Sequence, residues 1–325
     1  MTIRGSQEKL KGKIVSASRR TDIPAFYTPW FINRIREGFC TYPNPMYPQK
    51  FYHVSLKEDD VLGIVFWTRN ASPLIPYLEE LDERGFVYYF QYTVVGYPRG
   101  LDQKSPSLDS SIRTVHKLSN MIGKSRVVLR YDPIILNSDI THKWHQDNFR
   151  KITSELADVV DKVVISIVDP YSHAKKRAGA KNETITYSIE AYQELLEMIV
   201  DEASKRGLKV QSCAEKNISN AEIEPGSCVD AVKIYSLKGY SIPKRLKLHK
   251  QRDGCLCHTS VDIGVNNTCG YGCLYCYATK NHEKALETMK KHNPNWTSLI
   301  KDVQVEKPDQ ETERQLTIFS RGQQK

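Results

Sequence analysis

The stretch GIVFWTRNASPLIPYLEELDERGFVYYFQYTVV, Gly63 to Val95, carries the architecture in miniature. A β-branched and aromatic run from Gly63 to Thr68 ends in the polar triplet Thr68-Arg69-Asn70. A segment of helical period follows from Pro73 to Arg84, and a second strand-like run fills Val87 to Val95. Strand, helix, strand at this spacing is the unit of a parallel sheet, since parallel neighbours need a crossover and a helix supplies it. The alternation continues on both sides. Strands are expected at Lys13 to Ala17, Arg126 to Tyr131, Lys162 to Val168 and Leu208 to Cys213. Helices are expected around Tyr27 to Glu37, Ser110 to Ile122, His145 to Ala157 and Tyr187 to Arg206. Such βα repetition predicts an α/β fold, a barrel or partial barrel. The Tyr- and Pro-rich segment Cys40 to Leu56 breaks the rhythm and reads as a loop or β-ribbon laid over the barrel mouth.

Active groups in these folds gather at the carboxyl ends of the strands, where loops and helix N-termini converge. Those ends read Ser18-Arg19-Arg20-Thr21-Asp22-Ile23-Pro24, Thr68-Arg69-Asn70, Gly96-Tyr97, Arg130-Tyr131-Asp132-Pro133, Asp169-Pro170 and Ser212-Cys213-Ala214-Glu215. Asp, Thr and Asn there are natural helix N-caps. Arginine does not cap an N-terminus, yet it stands at three of these ends as Arg19 with Arg20, Arg69 and Arg130. Guanidinium matches carboxylate and phosphate in a bidentate way, so this rim suits an anionic ligand.

The chain has 325 residues, 40% of them hydrophobic, and 47 Lys and Arg against 38 Asp and Glu for a net charge of +9. That excludes a disordered protein and leaves room for one large domain or two ordinary ones. The N-terminus has no apolar core of a signal peptide, and no run of about 18 apolar residues occurs, so a soluble, cytoplasmic protein with no membrane partner is expected. In a reducing compartment its eight cysteines point to metal rather than disulfides. Five of them, Cys255, Cys257, Cys269, Cys273 and Cys276, fall within 22 positions. Cys269, Cys273 and Cys276 have the spacing CxxxCxxC, with Gly270 and Gly272 freeing the backbone to turn. Three thiolates leave one iron of a four-iron cluster open, whereas a zinc ribbon would show paired CxxC knuckles. Cys213, Cys228, Cys255 and Cys257 make four further ligands, enough for a second [4Fe-4S] cluster or a zinc. Against this, Cys213 and Cys228 could be buried small hydrophobes. Cys40 reads as structural and His258 as a loop residue.

The CxxxCxxC spacing with Tyr275 just before the last cysteine resembles the signature of radical S-adenosylmethionine (SAM) enzymes. The resemblance implies a [4Fe-4S] cluster on Cys269, Cys273 and Cys276. SAM would bind the open iron, Tyr275 would lie near the adenine, and a reductant such as flavodoxin or ferredoxin would supply electrons. One electron into SAM then yields a 5′-deoxyadenosyl radical that abstracts hydrogen from a substrate. More widely, SASRRTDIPAFY (Ser16 to Tyr27), FWTRNASP (Phe66 to Pro73), RYDPI (Arg130 to Ile134) and CLCHTSVDIGVNNTCGYGCLYCYA (Cys255 to Ala278) resemble the family of domain of unknown function 1848, over most of residues 13 to 280.

In radical SAM enzymes the cluster loop follows the first strand, whereas here it follows about six. A circular permutation accounts for this if Thr259 to Asn267 closes as a first strand beside Lys13 to Ala17. Thr21-Asp22-Ile23-Pro24 and Thr68-Arg69-Asn70 then resemble segments that follow the next two strands in the spore photoproduct lyase-like branch. The usual Gly-Gly-Glu contact to the SAM amino group is missing, and Thr21-Asp22 is the candidate replacement. Arg69 or Arg130 would bind the SAM carboxylate and Asp132 or Asp169 the ribose, with Asp22, Arg69, Arg130 and Asp132 as catalytic candidates and Thr68 beside them. Tyr88, Tyr89, Tyr92, Tyr97 and Tyr131 could relay a radical, although aromatic strand residues are more often core.

Residues 13–280 are expected to form one domain: βα repeats to 213, a basic connector over 214–254, and the cysteine segment over 255–280. A peripheral helix and tail would follow over 281–325. Within the connector, residues 233–254 hold Lys233, Lys238, Lys244, Arg245, Lys247, Lys250 and Arg252 against Asp253 alone, a local charge of +6. With Lys175-Lys176-Arg177 and Lys181 it suits nucleic acid or another anionic substrate, or else is a solvated basic surface. The competing class is a non-enzymatic, basic nucleic-acid-binding protein whose cysteines hold zinc.

Overall fold

A computed structural model describes residues 12–181, 184–215, 222–249 and 252–304. The first βα unit runs from β1 (Lys13–Ala17) through the short α1 (Ile23–Phe26) and α2 (Thr28–Glu37). A hairpin of β2 (Phe39–Pro43) and β3 (Phe51–Ser55) follows, then β4 (Val61–Thr68), α3 (Leu78–Glu83) and β5 (Tyr88–Thr93). Next come α4 (Leu108–Ile122), β6 (Val127–Ile134), α5 (His142–Leu156), β7 (Lys162–Ile167) and α6 (Ser172–Gly179). The chain continues with α7 (Gln193–Ser204), β8 (Lys209–Ser212), β9 (Ile223–Pro225), α8 (Ala231–Leu237), β10 (Ser260–Asp262) and α9 (His282–Lys291). The helix starts are chemically marked, since Ser107 and Thr141 each accept the backbone N–H three residues on and so satisfy a donor that has no partner inside the helix. All six expected strands and all five expected helices are present, with ends moved by a few residues.

The strands form one eight-stranded sheet in the order β10-β1-β4-β5-β6-β7-β8-β9, every pairing parallel. This is an α/β fold, but the sheet is open rather than a closed barrel. Among the described residues no ladder joins β9 to β10, and both edge strands are only three residues long. The reason lies on the face away from the main helices. Strand residues alternate in direction, so Val15, Ile64, Phe66, Phe90 and Leu129 enter the large core with α2, α3, α4, α5 and α7. Ile14, Val65, Tyr89, Val128 and Val164 point the other way, and α8 covers them with Val229, Ile234, Tyr235, Cys255 and Cys257. The chain between β9 and β10 thus fills the space where edge strands would otherwise meet.

Gly63 is the contact that lets this plug seat. A Cβ built there would stand 2.8 Å from Ile234 Cγ2, inside van der Waals distance. Gly63→Ala should therefore lift α8 and cost about 1–3 kcal/mol of stability, as overpacking typically does. Urea unfolding checks this, and Gly63→Ala should cost less when made in an Ile234→Ala protein, which lacks the Cγ2 that a Cβ at Gly63 would meet.

Cys40 to Leu56 is the β-ribbon, antiparallel from Phe39↔Ser55 to Pro43↔Phe51. It leans on the C-terminal segment through a Thr41–Ser298 bridge and the Thr41 N–H to Thr297 carbonyl bond, so the mouth of the site meets only its tip. The basic run at Lys175 to Arg177 lies on α6. After α9 the chain packs on α2, with Trp30 Nε1 donating to the Trp296 carbonyl, so this region is less peripheral than expected. Residues 305–325 lie outside the described residues.

Candidate functional site

At the carboxyl ends of the strands lies a cavity of about 580 Å³. Seven cysteines reach its wall: Cys269, Cys273 and Cys276 from the loop after β10, and Cys213, Cys228, Cys255 and Cys257 from three other places. The strand-end residues Thr21, Asp22, Thr68, Arg69, Arg130, Asp132 and Asp169 line it too, as does Tyr275. Cys40 is buried elsewhere, in the large core. Topology explains the convergence, since parallel strands bring all their carboxyl ends to one rim.

The CxxxCxxC loop is held from several sides. Asn267 adopts φ +57°, a left-handed turn that its short polar side chain tolerates, while its Oδ1 accepts the N–H groups of Lys280 and Asn281. The loop after β5 pairs with it antiparallel through Asp102 and Cys273, and the Leu274 N–H donates to the Leu101 carbonyl. From α6, Arg177 donates to the carbonyls of Leu274 (2.8 Å), Cys276 (2.6 Å) and Thr279. Gly272 makes its turn at φ +71°. Gly270 serves differently from expectation: its φ is ordinary for any residue, and a Cβ there would meet the flexible end of Met289 at 3.0 Å, which would have to give way.

The buried arginines are already paired. Arg69 bonds Asp102 and Tyr275 Oη (2.6 Å), and Tyr275 Oη donates to the other oxygen of Asp102 (2.6 Å). Arg130 bonds Asp132 (2.6 Å), whose second oxygen accepts from Ser166. Asp169 is held by Arg252. Asp22 accepts from Ala25 N–H (3.0 Å), capping α1, and from Arg69 N–H (2.7 Å), while burial pushes its carboxyl up to about 6. Thr68 Oγ1 accepts the Asn70 N–H. The cap therefore accounts for Asp22 and the local turn for Thr68. Unpartnered buried polar atoms lie at other places on the cavity wall: Arg19 Nη1, Thr21 Oγ1, Trp67 Nε1 and Tyr271 Oη. A buried donor without a partner costs about 1–3 kcal/mol, so these four mark where a polar ligand would be received.

The thiols respond to the same burial. Cys269 is pushed up to about 12 and Cys273 well above the ordinary thiol range. Each loses its proton, to solvent, only when a metal or cation beside it stabilises the thiolate. Across the cavity Cys228 Sγ lies 3.0 Å from Cys213 Sγ and 3.0 Å from Arg130 Nη1. Among the described residues no three His, Cys, Asp or Glu side chains surround one point as a single ion would need.

Three important residues escaped the sequence reading. Asp262, at the end of β10, accepts from Ser16 and Ser18 and from the N–H groups of Arg19 and Gly264. Asp102 comes from an irregular loop with no pattern to mark it. Arg177 was visible only as positive charge. The basic connector is likewise partly consumed: Arg252 binds Asp169, Lys238 lies 3.7 Å from Glu58, and Lys233 sits over the Tyr89 ring. Lys244, Arg245 and Lys247 are exposed, and Lys250 lies outside the described residues. Tyr88, Tyr89, Tyr92, Tyr97 and Tyr131 are core residues, whereas Tyr171, Tyr271, Tyr275 and Tyr277 line the cavity. His258 is a loop residue whose Nδ1 accepts the Ala231 N–H. No helix among the described residues is long and apolar enough to cross a membrane.

A family model described as a domain of unknown function (DUF1848) matches residues 14–278. Among curated proteins none matches the chain. Similar solved structures include a candidate α-L-fucosidase from Bacteroides thetaiotaomicron VPI-5482, at 10% identity over 57% of this chain and 76% of that one. Another is the NADH-dependent enoyl-[acyl-carrier-protein] reductase from Aquifex aeolicus VF5, at 12% identity over 67% and 78%. Both have a TM-score of 0.24, too low to carry an argument.

Proposed function

Because the chain belongs to the family described as a domain of unknown function, DUF1848, we propose on the strength of the cavity itself that it is a radical SAM-type enzyme. Cys269, Cys273 and Cys276 would hold a [4Fe-4S] cluster with one open iron, and SAM would occupy the cavity. The observation that carries this reading is the delivery of a three-cysteine loop, by a strand parallel to β1, onto a wall with unpartnered polar groups. The pairing of β10 with β1 at Ile14↔Ser260, Val15↔Val261 and Ser16↔Asp262 is also the neighbour relation expected if the first strand of a radical SAM-like core has moved to the C-terminus.

The residues fit the group. Three soft donors face one cavity, as iron requires, and the four unsatisfied polar atoms ask for a polar ligand. When bound, the cluster supplies the electron for radical chemistry on SAM. The chain's own work is binding and exclusion of water. Arg19, like Arg69 and Arg130, is paired with a carboxylate, here Asp262 through Nε at 3.4 Å, but its Nη1 has no partner and can still donate to a carboxylate. Thr21 and Tyr271 offer hydroxyls to the amino or ribose groups. Arg177 and Asp102 keep the loop in shape, and Arg20 on the same wall favours an anionic substrate.

Anaerobic purification followed by visible absorption and iron and sulfide analysis tests the proposal. Iron with sulfide, and 5′-deoxyadenosine from SAM with dithionite, are expected. Zinc without iron would overturn the reading in favour of a structural metal protein. Arg177→Ala should loosen the loop centre by about 10-fold or more, as loss of groups that orient metal ligands generally does. The check is the rate of iron loss to a chelator, with Arg177→Lys intermediate because it restores charge but not the fork.

A further inference from the structure

Behind the cysteine loop lies a second, smaller cavity of about 200 Å³. Cys273 lines both this cavity and the large one, so the loop is the partition between them. We propose that this outer face is the docking site of an acidic electron-carrier protein, which reduces the loop centre from the side of Cys273. The inference rests on the reading of the loop as an iron-sulfur centre and adds where its electrons enter.

Charge is the first observation. Arg177 and Lys181 line the pocket with His282, and Lys181 is exposed. Lys104, also exposed, stands close enough to act on His282. Burial first, then Lys104 and Arg177, hold that imidazole below its ordinary range, and Glu283 offsets them only in part. The field here is positive, so the complementary surface carries carboxylates. The second observation is a set of unsatisfied groups. Thr279 is 5% exposed and its Oγ1 has no partner, nor has His282 Nδ1, and both residues line the pocket. Buried polar atoms left so cost about 1–3 kcal/mol each, a cost that an arriving polar group removes. Gly272, Leu274 and Ala180 supply the apolar part of the wall. An apolar centre within a charged rim is the anatomy of a contact between proteins.

Two other occupants fit less well. All three side-chain nitrogens of Arg177 already donate to carbonyls of the loop, so it lends charge without a free fork for a small oxyanion. Among the described residues no Phe, Tyr or Trp lines the pocket, so a nucleobase has nothing to stack on. Complexes of electron carriers bury little surface and are brief, which a small pocket and a few lysines can serve. Electron transfer falls off steeply with distance, and a carrier seated here has only the loop between it and the centre. The carrier is oxidised by one electron and the loop centre reduced by it, with no bond made or broken.

The test compares two reductants on the full chain, prepared anaerobically: dithionite, which needs no docking, and a reduced, acidic plant-type ferredoxin. Lys104→Glu combined with Lys181→Glu should leave 5′-deoxyadenosine formation with dithionite unchanged. With ferredoxin at low salt it should slow product formation about 10-fold or more, and at high salt the two proteins should converge. Lys104→Arg with Lys181→Arg should keep the wild-type rate. Lys205→Glu with Lys209→Glu makes the same change of charge at the amino end of β8, away from the loop. Equal slowing in that protein would make net charge the cause and overturn the proposal, as would a ferredoxin-dependent rate that the first pair does not move. Should dithionite give no product in wild type, the radical reading is what fails, and fluorescence anisotropy of labelled ferredoxin still decides the docking. Binding about 10-fold weaker in Lys104→Glu/Lys181→Glu supports the site, and equal binding overturns it.

Discussion

Cys273→Ala is expected to reduce 5′-deoxyadenosine formation to background while leaving the protein folded. Three thiolates are the fewest that can hold a four-iron cluster with one iron open, so removing one leaves two anchors. Cys273 is also the loop cysteine at the Asp102 bridge, next to the Arg69–Asp102–Tyr275 group. That group does not depend on the thiol, because its bonds run among the side chains of Arg69, Asp102 and Tyr275. The fold should therefore persist: far-ultraviolet circular dichroism should match wild type while iron falls by the content of one centre. Cys40→Ala is the control, since Cys40 is fully buried in the large core and touches neither cavity wall nor loop. Its expected cost is a modest loss of stability from the small cavity left behind, with iron and activity intact. Undiminished iron or product in Cys273→Ala would remove the loop cysteines from the mechanism.

The contrast between Cys273 and Cys40 shows where sequence carries information. Spacing marks the loop cysteines because a local motif must supply several ligands from one turn, and that requirement is written in consecutive residues. Strand ends were equally legible: hydrophobic period locates β1 and β4 to β8, and parallel topology then brings Thr21, Arg69, Arg130 and Cys213 to one rim. What periodicity does not encode is partnership. Arg69 and Arg130 read as open anion receptors, but each found a carboxylate, and Asp102 comes from an irregular loop with no pattern to announce it. Arg177 looked like surface charge because net charge says nothing about direction, and its guanidinium faces three loop carbonyls. The open sheet was invisible for a related reason. Whether two edges meet depends on what fills the face between them, and α8 is a seven-residue helix within a connector read as basic coil.

Asp262 is where these limits have the greatest energetic consequence, and Asp262→Ala is expected to destabilise the protein by about 3–5 kcal/mol, the cost of leaving buried partners without their charge. Its carboxylate accepts from Ser16 (2.8 Å), Ser18 (2.6 Å), Arg19 N–H (2.9 Å) and Gly264 N–H (3.1 Å), tying the end of β10 to the end of β1. Burial alone would raise its pKa, but Arg20, Arg19 and the Ser18 hydroxyl more than offset this and hold the carboxyl below the ordinary aspartate value of 3.8. The sign of the pH dependence follows. A group whose folded value is depressed stabilises the protein fully above its unfolded value, and loses that stabilisation as pH falls through the folded one. The gap between wild type and Asp262→Ala should thus be constant near neutrality and narrow only below about pH 4. Asp262→Asn keeps the volume but turns two acceptor oxygens into one acceptor and one donor against these four donors and the Arg19 Nε at 3.4 Å, so it should lie nearer alanine than wild type. Space gives no relief, since a Cβ at Gly264 would stand 1.9 Å from Ser18 Oγ, and the strand end cannot shift toward β1. Because the cysteine loop begins seven residues beyond this anchor, both variants should also lose iron to a chelator faster than wild type. A variant with unchanged unfolding at neutral pH would show that β10 is held by its ladder alone.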